Sequence, residues 1–227
     1  LSDLHTDALT GLSWRTRLPL PTQAKRCLIL LHGVGSNETH LLELSAGIDA
    51  DTLVIFPRGP LQLGAGQHAW FRVSFTPSGP RIVAEEAEHS RQLLIRFAAQ
   101  MQARHGLTPS ATVMAGFSQG GIMSASVALS APQQVAGFAI LSGRILPELA
   151  PHLAERQQLA ALQAFIGHGE LDGTLPVAWA HRSDQWLTEL GVPHQLRLYP
   201  IDHSIGLAMR SDFVDWFHSV CPAPTSV

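Results

Sequence analysis

A mostly parallel β-sheet with helices on both faces is the architecture expected of this chain. Three features point to it. Short aliphatic runs recur along the whole length, each followed by turn residues and then a helical pattern, the signature of strand–helix alternation. Many of these runs are unbroken rather than alternating, as strands covered on both faces require. Charged residues make up only 15% of the sequence, against roughly 25% in ordinary globular chains, so much of the chain must be hidden from water.

Taken in order, residues 12–18 (LSWRTRL) alternate and read as a half-exposed edge strand. Residues 27–31 (CLILL) form the first fully buried strand, and 52–56, 111–117, 135–142, 163–168 and 195–199 repeat its character. Between them, residues 82–105 place Val83, Ala87, Leu94, Phe97, Ala98 and Met101 on one helical face. Glu85, Glu86 and Glu88 near the start of that helix suit its dipole. Residues 176–190 open with Pro176 and close at Gly191, and 205–219 form a last helix. Residues 57–81 stand apart as one long connection, rich in Gly and Pro, that carries His68, Trp70 and Phe71. Connections of that length are uncommon unless functional.

A chain of 227 residues suits a single domain, with a core at about 12–219 and a frayed tail at 222–227. The net charge is −3 and no basic patch stands out, so a nucleic-acid partner is not expected. No apolar run approaches the roughly 20 residues of a membrane helix, and no signal peptide is visible in the first twenty positions. Cys27 and Cys221 lie near opposite ends, and nothing in them suggests an oxidising compartment. A cytoplasmic location is therefore expected, and a homodimer is compatible with the sequence.

In open α/β sheets, sites gather where strands end. Gly116-Phe117-Ser118-Gln119-Gly120-Gly121 follows such a strand and precedes a helix. G-x-S-x-G in that setting is a sharp turn that lifts a serine hydroxyl above the sheet. A serine needs a base to take its proton, and the order nucleophile, acid, histidine directs the search downstream. His181 and His218 sit inside helical patterns and His194 opens a strand, whereas His203 lies in the loop directly after the last strand. Glu170 and Asp172, after the strand at 163–168, are the candidate acids. Asp202 adjoins His203 and is poorly placed to orient it. Oxyanion donors are expected from the Gln119 N–H and from the Val34 N–H in Leu31-His32-Gly33-Val34-Gly35. His32 reads as a brace for that loop. His168 reads as turn packing, since no partner stands at metal-ligand spacing.

These residues together resemble the phospholipase/carboxylesterase family of the α/β-hydrolase superfamily, which includes acyl-protein thioesterases. L-H-G-x-G is matched by Leu31 to Gly35, and G-F-S-Q-G-G by Gly116 to Gly121. G-x-x-D-x-x-V-P is matched by Gly169, Asp172 and Pro176, with Leu175 in place of Val. The W-F pair of the mid-chain loop is matched by Trp70 and Phe71, and D-H-S by the stretch holding His203. The resemblance implies an α/β-hydrolase fold, with no insertion large enough for a separate cap domain. It implies cleavage of carboxylic esters or thioesters through a serine acyl-enzyme, without cofactor or metal. It selects Asp172 as the acid beside Ser118 and His203, with a small-molecule or lipid-like ester as substrate. Lysophospholipase and acyl-protein thioesterase activities are alternatives, and a non-catalytic binding module is a remote one. Trp70, Phe71 and Leu175 are candidates for the acyl pocket. Ser36 and Arg72 stand where the family often carries acidic residues, which bears on specificity rather than on chemistry.

Overall fold

A computed structural model describes residues 1–76 and 79–221, so the tail at 222–227 lies outside the described residues. Elements run in chain order as β1 His5–Thr6, β2 Ser13–Thr16, β3 Arg26–Leu31, β4 Thr52–Pro57, β5 Leu61–Gly64, β6 Gln67–Ala69, β7 Val73–Thr76 and β8 Gly79–Ile82. There follow α1 Ala84–His105, β9 Thr112–Phe117, α2 Gln119–Ser130, β10 Gly137–Leu141, α3 Arg156–Leu159, β11 Gln163–Gly169, α4 Ala178–Leu190, β12 His194–Tyr199 and α5 Leu207–Val220. The main sheet has eight strands in the order β1-β2-β4-β3-β9-β10-β11-β12. From β4 to β12 all neighbours are parallel, and β1 and β2 add an antiparallel edge.

The two faces of the sheet read the parity of each strand. Cys27, Ile29 and Leu31 of β3 point to one core, which holds Leu94, Phe97 and Met101 of α1, Met123 and Val127 of α2, and Leu187 of α4. Leu28 and Leu30 point to the other, against Phe213, Trp216 and Phe217 of α5, Leu44 of the short 3-10 turn Leu42–Ser45 and Leu41 just before it. This division is why β3, β4 and β9 are buried at every position and why their sequences do not alternate. Among the described residues no helix is long and apolar enough to cross a membrane.

Some boundaries differ from expectation. The connection at 57–81 is not irregular, because it contains two small antiparallel ribbons, β5–β6 and β7–β8. The helix expected from Pro176 begins at Ala178, because Trp179 and Ala180 donate their N–H groups to the Pro176 and Val177 carbonyls three residues back, a tighter entry turn than the α-helix that follows. The four-residue α3, too short to show a helical period, carries a capping box formed by Glu155 and Gln158.

Candidate active site

Four strands deliver the site at their carboxyl ends. β9 runs into Ser118, which is held at φ 53° and ψ −116°, a conformation costly for a residue with a side chain. The turn closes only because its flanks are bare. A Cβ on Gly116 would meet the backbone of Gly120, and one on Gly120 would be driven into the Leu31 carbonyl at the end of β3. The Ser118 N–H donates to the Leu141 carbonyl of β10 at 2.8 Å, fixing the turn across to the next strand.

β11 leads into Asp172 and β12 into His203. Ser118 Oγ lies 3.0 Å from His203 Nε2, and His203 Nδ1 lies 2.6 Å from Asp172 Oδ2. With Nδ1–H donating to the carboxylate, the neutral ring presents an acceptor to the serine hydroxyl. Asp172 is buried, and its other oxygen accepts from the Thr174 and Leu175 N–H groups at 2.9 and 2.8 Å. His168 backs this turn, its Nε2 donating to the Leu175 carbonyl at 2.8 Å and lying 3.4 Å from Asp172 Oδ2. Glu170 and Asp202 are exposed, and what they contribute is backbone: Glu170 N–H to the Tyr199 carbonyl, and the Asp202 carbonyl to Ser204 N–H. The other histidines stand elsewhere: His194 is paired with Asp184, His218 lies 3.6 Å from Asp49, and His181 is exposed on α4.

β3 leads into the glycine loop. Among the described residues neither the Val34 N–H nor the Gln119 N–H has a protein acceptor, and both residues line the Ser118 cavity. The loop is braced from several sides. His32 Nδ1 donates to the Gly33 carbonyl at 2.7 Å, and its Nε2 accepts from Gly59 N–H at 2.9 Å. Burial pushes this imidazole down to about 4, against the pull of the Gly33 carbonyl, so it stays neutral and structural. In β6, the His68 backbone accepts from Gly35 N–H at 2.8 Å and donates to the Ser36 carbonyl at 2.7 Å. Glu38, just beyond, accepts from Arg58 at 2.6 and 2.7 Å and from Arg15 at 3.0 Å.

The cavity above Ser118 measures about 240 Å³ and is walled by Phe71, Val73, Ile82, Ile122 and Leu175. A second cavity of about 260 Å³ meets it at His40, Phe117 and His203 and is lined further by Ser204, Ile205 and Arg210. Phe71 and Leu175 therefore stand in the wall, as the sequence suggests, but Trp70 does not. It is fully buried behind the glycine loop, its ring 5.4 Å from that of His32 and its Nε1 donating to the His32 carbonyl at 2.9 Å. An indole with one polar atom satisfied by backbone is a support, and in the W-F pair only the second ring faces the cavity.

One functional contact escapes sequence reasoning altogether. The Gln119 side chain accepts from Trp70 N–H and donates to the Phe71 carbonyl, both at 2.7 Å, while Ser90 Oγ donates to the Trp70 carbonyl at 2.5 Å. The motif marks Gln119 for its backbone and says nothing of its amide. Arg144, also in the wall, carries a fainter signal: a lone charge in the apolar stretch after β10.

Comparison with known proteins agrees with this geometry. The family model described as Phospholipase/Carboxylesterase matches residues 21–216. Acyl-protein thioesterase 1 of Kluyveromyces lactis is 26% identical over 169 residues, covering 69% of this chain and 73% of that protein. The crystal structure of a carboxylesterase from Mesorhizobium loti superposes with a TM-score of 0.80 at 23% identity, covering 95% of this chain and 98% of that one. The Bacillus cereus carboxylesterase superposes at 0.78 and 19% identity, covering 94% and 96%.

Proposed function

The chain belongs to the phospholipase/carboxylesterase family of α/β-hydrolases, and from that premise we propose that it hydrolyses carboxylic esters or thioesters through an acyl-enzyme formed on Ser118. The observation that carries the proposal is the line of contacts Ser118–His203–Asp172, at 3.0 and 2.6 Å, opening into an apolar cavity. Ser118 Oγ attacks the carbonyl carbon while His203 Nε2 takes its proton. Asp172 stays ionised, holds the tautomer and stabilises the imidazolium. The Val34 and Gln119 N–H groups receive the oxyanion of the tetrahedral intermediate. His203 then returns the proton to the leaving alcohol or thiol, and water repeats the two steps to free the acid and regenerate Ser118.

Residues 12–219 act in this reading as one catalytic domain on a small ester substrate. Its cytoplasmic placement is supported by two free, buried thiols, Cys27 and Cys221. Thioesters fall within the same range, a reading favoured by the likeness to acyl-protein thioesterase 1. The test is Ser118→Ala beside a fluorophosphonate probe. Wild-type protein is expected to be labelled on Ser118, and the variant to lose about 10⁴-fold or more in kcat with its melting temperature unchanged. Ester hydrolysis that persists in the folded variant overturns the proposal.

A further inference from the structure

Three arginines of this chain are buried among the described residues, and two of them have a carboxylate. Arg26, 2% exposed, is paired with Asp49 and Asp51, and Arg91, 6% exposed, with Glu88. Arg144, 5% exposed, has no hydrogen-bond or ion-pair partner among the described residues, and its Nε is sealed from solvent. Its guanidinium lies over Trp179, 4.5 Å from the ring centroid, and Arg182 stands 4.7 Å from the same ring. Stacking engages the flat face of a guanidinium and leaves its N–H donors, which lie in the plane, unspent. Burial works against the charge and Glu148 supports it from beyond ion-pair distance, yet an arginine stays protonated in a protein.

The position of this cation is set by the backbone. Ser142, with φ +49°, turns the chain out of β10. Gly143 then packs so closely on the nucleophile's turn that a Cβ there would lie 2.9 Å from the Ser118 carbonyl. On the far side, Ile145 N–H is held by Ser183 Oγ at 3.3 Å. Arg144 lies between these anchors and lines the same cavity as Ser118 and His203, where it is the only lysine or arginine among the described residues. A buried, unpaired cation in an apolar wall is strongly disfavoured unless something complementary enters.

We propose that Arg144 is a specificity residue that receives a carboxylate carried by the ester substrate, so that half-esters of dicarboxylic acids and similar singly charged esters are preferred over neutral ones. The inference rests on the ester-hydrolase reading of this cavity. The planar fork of a guanidinium matches a carboxylate in two parallel hydrogen bonds, and one cation balances one negative charge. The carboxylate belongs to either the acyl or the alcohol part of the ester, and the substrates chosen for the test separate these sources.

The test compares kcat/KM for three esters of matched length: monoethyl glutarate, O-valeryl glycolate and neutral ethyl valerate. Wild-type protein is expected to favour one of the two anionic esters over the neutral one by tenfold or more, chiefly through KM. The favoured one tells which side of the ester faces Arg144. Arg144→Gln is expected to lower that ratio at least tenfold, and Arg144→Lys to keep part of it. A wild type that favours the neutral ester, or a ratio that Arg144→Gln leaves unmoved, overturns the proposal while leaving the hydrolase reading intact. A wild type that turns over none of the three, and whose Ser118 resists the fluorophosphonate, overturns both. If the variants do not fold, inhibition of the wild type decides: singly charged glutaramate should compete more tightly than neutral valeramide, and equal or weaker competition overturns the proposal.

Discussion

Gln119 serves the site with two different groups. Its backbone N–H has no protein acceptor among the described residues and the residue lines the cavity, while its side-chain amide holds the Trp70 N–H and the Phe71 carbonyl. Neither backbone partner is exposed, so truncation leaves two buried polar groups unsatisfied at about 1–3 kcal/mol each. Gln119→Ala should therefore lower the melting temperature by roughly 4–24 °C, given about 2–4 °C per kcal/mol in a protein of this size. It should also reduce kcat, because Phe71 loses its anchor. Gln119→Glu keeps an acceptor for Trp70 N–H but sets a carboxylate oxygen against the Phe71 carbonyl, so it should fare no better. Thermal melts of the two variants decide the matter, and an unchanged melting temperature in both would show that the clamp carries no stability.

At the scale of elements, of the described glycines the one with least room for a side chain is Gly120, where α2 sits against the Leu31 carbonyl of β3. Gly120→Ala must push the first turn of α2 away from the strand that also positions Val34, and a loss beyond about 4 kcal/mol is expected, seen as insoluble or unfolded protein. Gly173→Ala is the matched control, since nothing lies within 4 Å of its added Cβ, and it should fold normally. A soluble Gly120→Ala protein with native stability would refute the packing argument. The legibility of the sequence follows the same division. β3, β4 and β9 declare themselves as unbroken aliphatic runs because both of their faces are covered. Ser118, Asp172 and His203 are findable because each follows the end of such a run or carries a motif. The ribbons β5–β6 and β7–β8 are hidden because strands of three or four residues complete no period. Trp70 and Phe71 read alike because a pair of aromatic residues does not reveal which ring lines the cavity. Arg144 gives only the faint signal of a lone charge in an apolar stretch, and its place in the cavity wall emerges once the helix bearing Trp179 is set beside it.

Over the whole molecule, the groups that pin the glycine loop make the fold sensitive to acid. Burial, with help from His68 and His40, holds His32 at about 4, well below the roughly 6.5 of an unfolded chain. Burial alone would raise the Glu38 carboxyl, but hydrogen bonds from Arg58 and Arg15 outweigh it and bring it to about 2. Between about pH 6.5 and 4 the unfolded chain takes up a proton at His32 that the native protein refuses, and between about 4.3 and 2 the same holds at Glu38. Stability is thus full above about pH 7 and declines as pH falls, by roughly 3 kcal/mol from His32 alone on reaching pH 4. His68, His105 and His168, all pushed down by burial, deepen the loss. Calorimetry from pH 8 to 4 should show a steadily falling melting temperature, and a flat profile between pH 7 and 5 would contradict this account. The spacing of the reactive groups has a further consequence during synthesis. Ser118 and His203 are 85 residues apart, and a ribosome adding about 5–20 residues per second needs roughly 4–17 s to travel from one to the other. Throughout that interval the nascent chain carries its serine without its histidine, so hydrolysis by the proposed pair cannot start until His203 itself has been made.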